Sequence, residues 1–272
     1  MALFMDLNVS FSEDKTVLKN IIETAAHLGY STVAINYTLE FHHKKQEIPK
    51  PRPVLDLFEK LPVVQGKSKS ITVLNRLTVV ATDPSHFRPT AEYKAFDLVA
   101  VIPKTEKLFQ AACMNFDVNI ICVAMSEKLG FFIKRAPVNV AIERGVFFEI
   151  SYTPAIRDST LRRYTISNAL SLTEICKGKN VIVSSGAEKA IELRGPYDIA
   201  NLGIVFGLST EDAKDAVSTN CRSVCLHGKT RSTAFGIIHT MKKSQPANKT
   251  EEEDEEEEEE GGPPRKIIKL EK

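Results

Sequence analysis

Short, near-continuous apolar runs rich in β-branched residues recur along the chain, with helical patterns between most of them. The runs are Leu3 to Leu7, Thr32 to Ile35, Ile71 to Val80, Asp97 to Ile102, Asn119 to Val123, Val146 to Ile150 and Val181 to Ser184. A strand that is apolar on both faces must be covered on both, which points to parallel strands joined by helices. The first helix is expected over about Asp14 to Leu28, with an apolar stripe of Val17, Leu18, Ile21, Ile22 and Ala25. Ser12 or Asp14 suits its N-cap and Gly29 its stop. Further helices are expected near Val54 to Leu61, Thr105 to Asn115, Val138 to Glu143 and Leu161 to Cys176, then over Pro196 to Phe206, Thr210 to Ser218 and Asn220 to His227.

Seven or eight such units predict an α/β fold, a distorted (β/α) TIM-like barrel; an open doubly wound sheet is the alternative. No G-x-G-x-x-G follows a strand and no G-x-x-x-x-G-K-[ST] occurs, which weakens the nucleotide-binding forms of that alternative. The predicted division is a barrel over residues 1–243 and a disordered acidic tail over 244–272. Residues 251–260 are ten consecutive acids, and such a block stays solvated. From residue 251 onward there are eleven acids and four Lys or Arg, so residues 1–250 keep 32 basic against 24 acidic residues, a formal charge of +8. No apolar run approaches the roughly 20 residues that span a bilayer, and no secretory leader or membrane association is expected. Five scattered cysteines without a C-x-x-C fit free thiols.

Chemistry in such a barrel sits at the carboxyl ends of the strands. Those ends read Asp6-Leu7-Asn8, Asn36-Tyr37, Asn75-Arg76 or Thr82-Asp83, Pro103-Lys104, Met125-Ser126, Glu149-Ile150-Ser151 and Ser184-Ser185-Gly186. Asp6 and Glu149 are two acids that could collaborate, but none of the six histidines ends a strand, and a hydrolytic metal site needs several converging ligands. Ser184-Ser185-Gly186 lacks the G-x-S-x-G elbow and suits a tight turn. Cys221 and Cys225 share a helix face and suit core packing. Arg194-Gly195-Pro196-Tyr197-Asp198 reads as a helix start.

The segments "FMDLNV", "LGYSTVAIN", "FDLVAVIP", "FEISYTPAIRD", "VIVSSGA", "LRGPYDIANLG" and "AVSTNCRSVCLHGKTR" occur in order and resemble the thirty-kilodalton protein subunit family of eukaryotic ribonuclease P, shared with ribonuclease MRP. That family in turn resembles metal-dependent phosphoesterase barrels of the polymerase and histidinol phosphatase type. Those carry His-x-His at the first strand end and Asp-x-His near the last. Here the same places read Asp6-Leu7-Asn8 and Ser184-Ser185-Gly186, with Glu149 as a remnant. The resemblance implies a barrel stripped of metal ligands, with no catalytic residue and no cofactor of its own, inside a ribonucleoprotein that removes the 5′ leader of precursor tRNA. Its relative processes pre-rRNA. Implied with it are Mg²⁺ held by the RNA subunit, contact with both RNAs and indirectly with precursor tRNA, a small αβ-sandwich subunit as heterodimer partner, other subunits, and a nuclear and nucleolar location. A metal-dependent phosphoesterase on the same barrel is the alternative, and a metabolic barrel for a small phosphorylated ligand a weaker one.

The positive surplus independently suits phosphate contact. Candidate RNA-binding residues are His42, His43, Lys44 and Lys45 with Lys50 and Arg52, Lys67 with Lys69, Lys134 and Arg135, Arg157 with Arg162 and Arg163, and Lys229 with Arg231. Each is also readable as a solvated basic surface, since scattered Lys and Arg occur on every soluble protein. With no Trp and no RNP1-like sequence, backbone and shape contacts are expected rather than base reading.

Overall fold

In the computed structural model, residues 3–41, 48–87 and 91–232 are described. Their seven strands are all parallel and pair in chain order: β1 (Phe4–Ser10), β2 (Tyr30–Glu40), β3 (Thr72–Ala81), β4 (Leu98–Pro103), β5 (Ile120–Cys122), β6 (Phe147–Ser151) and β7 (Val181–Ser184). The circle closes thinly. Val9 bridges Ala187, with Ser10 N–H donating to the Ala187 carbonyl at 2.9 Å and Gly186 N–H to that of Asn8 at 2.8 Å. The helices are α1 (Lys15–His27), α2 (Val54–Leu57), α3 (Glu106–Met114), α4 (Arg135–Glu143), α5 (Thr153–Arg157), α6 (Ser159–Cys176), α7 (Pro196–Val205), α8 (Thr210–Asp215) and α9 (Thr219–Ser232). The barrel expected from the sequence is therefore the fold. Its expected boundary at residue 243 lies outside the described residues.

Local chemistry explains where elements begin. Asp14 accepts from Thr16 N–H at 2.8 Å, Thr105 from Leu108 N–H at 3.3 Å, and Asp158 from Thr160 and Leu161 N–H at 2.7 and 3.0 Å, so three helices start on a side-chain cap. Pro196 opens α7 with Asp198 in its first turn. Some expected lengths need correction. The first two strands do not stop at Leu7 and Ile35 but continue to Ser10 and Glu40, and the second helix ends at Leu57 rather than Leu61.

Period-two alternation divides the core in two. Outward strand residues such as Val33, Val99, Ile121, Phe148 and Val183 pack with the helices, while Met5, Leu7, Ala34, Leu98, Ala100, Ile120, Phe147 and Ile182 face the barrel axis. The amino-terminal end of the barrel is covered by α9. Asn220 Nδ2 donates to the Val181 carbonyl at 2.8 Å, and Cys221 and Val224 join the inner cluster, so the cysteine reading as core packing holds.

Gly228 lets α9 seat there. A Cβ on it would lie 2.5 Å from the Asp97 carbonyl oxygen and 2.9 Å from Leu98 Cδ2. Gly228→Ala is expected to cost about 1–3 kcal/mol through overpacking, although Ala is the better helix former. Gly130→Ala, which meets open space, is expected to stay within about 0.5 kcal/mol. Denaturant melts of the two variants side by side check both values.

Candidate functional site: the barrel mouth

Above the apolar inner layer lies a buried ring of polar side chains. Asn8 (β1), Asn36 (β2), Arg76 and Thr78 (β3), Cys122 (β5), Glu149 (β6) and Ser184 (β7) are each under a tenth exposed. Arg76 is at its centre. Its guanidinium meets Glu149 twice, Nη1 to Oε1 at 2.5 Å and Nη2 to Oε2 at 2.6 Å, the bidentate fork-to-carboxylate geometry. The remaining donors reach the Leu7 carbonyl at 2.7 Å, Thr78 Oγ1 at 3.1 Å and Cys122 Sγ at 3.1 Å. Glu149 also accepts from Ser184 Oγ at 2.7 Å, Cys122 Sγ at 3.0 Å and Asn8 Nδ2 at 3.2 Å. Asn36 links Asn8 to Thr78, donating to Asn8 Oδ1 at 2.8 Å and accepting from Thr78 at 2.6 Å.

These contacts set the charges. Burial pushes the Glu149 carboxyl up, but the adjoining Arg76 charge and side-chain hydrogen bonds from Arg76, Cys122 and Ser184 more than reverse it, and it stays below its usual range. Burial works against the Arg76 cation too, and Glu149 outweighs it. Both groups are therefore charged and mutually satisfied.

Both Glu149 oxygens are engaged by a guanidinium that itself supplies the positive charge. Among the described residues, no group of three or more His, Cys, Asp or Glu is placed to hold a metal ion. Asp6 does not converge on Glu149. The register of β1 against β2 shifts between Asp6 and Val9, and Asp6 Oδ1 turns to the β1–β7 seam, accepting from Ser185 N–H at 3.1 Å and Asn8 N–H at 3.2 Å. Its Oδ2 is buried without a partner. Burial raises this carboxyl to about 6. Ser185 is a turn residue. Its hydroxyl donates to the Asn8 carbonyl, and Gly186 follows at φ 65°.

The candidate RNA-binding residues fall at two ends. Lys50 and Arg52 follow β2, Lys134 and Arg135 precede or open α4 after β5, and Arg157, Arg162 and Arg163 follow β6. All lie on the carboxyl side of the strands, around the mouth. Lys67 and Lys69 precede β3 and Lys229 and Arg231 lie in α9, at the opposite end. His42, His43, Lys44 and Lys45 lie outside the described residues.

Several of these cations already have intramolecular partners. Lys134 pairs with Glu106 at 2.7 Å, and Arg157 with Glu192 and Glu188 at 2.6 and 2.9 Å. Arg162 Nε donates to the Ala155 carbonyl, and Arg231 to Asn119 and the Phe96 carbonyl. Arg52 lies 5.2 Å from the Phe11 ring centroid, and Phe11 stacks on Tyr37 at 4.4 Å.

The sequence profile described as RNase P subunit p30 matches residues 3–233. The chain belongs to this family. It is 59% identical over 251 residues to the ribonuclease P protein subunit p30 of Mus musculus, covering 91% of this chain and 94% of that one. It is 27% identical over 241 residues to the ribonuclease P/MRP protein subunit RPP1 of Saccharomyces cerevisiae, covering 85% and 82%. Among solved structures, a chain of an archaeal ribonuclease P with mature tRNA superposes with a TM-score of 0.65 at 16% identity, covering 89% of this chain and all of that one, which shows a shared fold.

In this member of the p30 family, sequence reasoning found Asn8, Glu149 and Ser184 but passed over Arg76, which was only one of two possible strand ends. It also gave no weight to Thr78 or Cys122. The available signal was an arginine inside "ITVLNRLTVV", a run otherwise fit for burial. A buried Arg requires an acid, and Glu149 is an acid set within an apolar run, as Asp6 is.

Proposed function

We propose that this chain is a protein subunit of the ribonuclease P ribonucleoprotein, which removes the 5′ leader of precursor tRNA, and of ribonuclease MRP in pre-rRNA processing, and that it supplies no catalytic group. The observation that carries the second half is the Arg76–Glu149 pair. With Glu149 neutralised by a buried guanidinium, the carboxylate at the centre of the polar ring is not offered as a base to activate water or as an anionic ligand for an ion. The chemistry then belongs to the RNA subunit and its Mg²⁺ ions, and the protein's part is to brace the RNA fold and hold neighbouring subunits, among them a small αβ-sandwich partner.

The family membership and the +8 charge of residues 1–250 support the RNA partnership. So does the placement of seven candidate cations on the mouth side. Phosphate contacts from this rim would be sequence-independent and salt-sensitive. With that work goes a nuclear and nucleolar location, the nuclear part of which the eukaryotic relatives support. Capture of the full chain from nuclear extract, followed by sequencing of the bound RNA, is expected to enrich the ribonuclease P and MRP RNAs. Enrichment of no structured non-coding RNA would reject the proposal.

A further inference from the structure

The loop between β5 and α4 presents an aromatic ring to solvent in a way its surroundings do not require. Asn168 of α6, itself buried, donates from Nδ2 towards three carbonyls of this segment, Ala124, Met125 and Glu127, at 3.4, 3.1 and 2.8 Å. That amide pins the loop's start to the helix. Phe131 turns in and meets Phe109, with ring centroids 5.6 Å apart. The next residue, Phe132, is 90% exposed. Beside it is a cavity of about 550 Å³ lined by apolar residues, among them Leu129, Ile133 and Ile175, and by the charged Lys128, Arg135 and Glu174. That size lies inside the range of roughly 300–1,000 Å³ typical of sites for small ligands.

We propose that Phe132 is a stacking platform for one unpaired nucleotide of the RNA partner, with Lys128 and Arg135 engaging the flanking phosphates. This rests on the RNA-subunit reading above. The chemistry around the ring selects that occupant. The charge on either side of the ring favours that occupant: Lys128 and Arg135 are both exposed and border the same cavity, and its apolar lining gives a flat base a surface to lie against. A nucleotide offers the complement: a planar π-face for the phenyl ring and phosphates for Lys128 and Arg135. Such stacking reads no base identity, so it is compatible with an RNA-binding mode that is largely backbone contact.

The test replaces Phe132 with photoreactive p-benzoylphenylalanine in the full chain, allows it to assemble into its particle, irradiates, and identifies the adduct. An adduct on an unpaired nucleotide is expected. An adduct on a protein, an adduct on a base-paired nucleotide, or no adduct would overturn the inference. Loss of the RNA from the particle formed by the wild-type chain would instead sink the functional reading itself. A second measurement titrates the full chain with a single-stranded oligouridine of about 12 nucleotides, within the site sizes such grooves accept. Phe132→Ala should weaken binding roughly 5- to 150-fold, whereas Phe132→Trp should keep it, because the indole stacks as well. Unchanged binding in Phe132→Ala, equal loss in both variants, or no binding by the wild type would count against the platform.

Discussion

Arg76→Ala is expected to destabilise the chain by about 3–5 kcal/mol, because it leaves the Glu149 carboxylate buried with its main partner gone. Against a typical domain stability of roughly 5–15 kcal/mol this is a large loss. The vacated space adds to it, since the guanidinium also ties together the Leu7 carbonyl, Thr78 and Cys122. The double replacement Arg76→Met with Glu149→Leu removes both charges and keeps most of the volume. It should recover at least half of the loss, since an apolar pair of similar size is often neutral or better than a buried ion pair. Denaturant unfolding of wild type, Arg76→Ala, Arg76→Met, Glu149→Leu and the double replacement gives the cost and completes the cycle. A cost below about 1 kcal/mol for Arg76→Ala would mean that the pair does not hold the mouth together.

The second large effect concerns Asp6. Its carboxyl, raised by burial from 3.8 to about 6, binds a proton more tightly folded than unfolded. That penalty is absent below about pH 4, grows as pH rises towards 6, and stays at about 3 kcal/mol above it. Asp6→Asn removes the charge while its Oδ1 can still accept from Ser185 and Asn8 N–H. The amide introduces its own unmet donors at the position of the unpartnered Oδ2, so the net gain is expected to be about 1–2 kcal/mol at pH 7.5. The gain should shrink as pH falls and turn into a net cost of about 1–2 kcal/mol near pH 4, where only the amide's unmet donors remain. Glu149 behaves oppositely, since its depressed carboxyl loses stabilisation only in acid, but that loss is common to both proteins and cancels in their difference. Thermal melts across pH 4–8 read the slope. A difference that does not change with pH would show that Asp6 is not held in this state.

The fold was largely legible because parallel strands covered on both faces leave continuous apolar runs, and helix starts leave Asp14, Thr105 and Asp158 as caps. The site was less so, for a physical reason. Reading a strand as apolar ends it at the first polar residue, which put Asp6-Leu7-Asn8 and Asn36 at strand ends. In the structure these residues lie within β1 and β2, where the barrel interior is polar and each member of the ring finds a side-chain partner on another strand. Pairing across a barrel is a contact between residues far apart in sequence. Arg76 and Glu149 are 73 positions apart, so nothing local announces their union. The same limit applies to the rim. The sequence shows that Lys134 and Arg157 are basic, and only the fold shows that Glu106, Glu188 and Glu192 already face them.

If the guanidinium of Arg76 stands in for a catalytic cation, no metal ion should enter the barrel mouth. Crystals of the full chain soaked in manganese, with data collected at the manganese absorption edge, test it directly. The account predicts no anomalous peak among Asn8, Arg76, Glu149 and Ser184, and an unbroken Arg76–Glu149 pair. A fully ligated ion there, with the arginine swung aside, would contradict it.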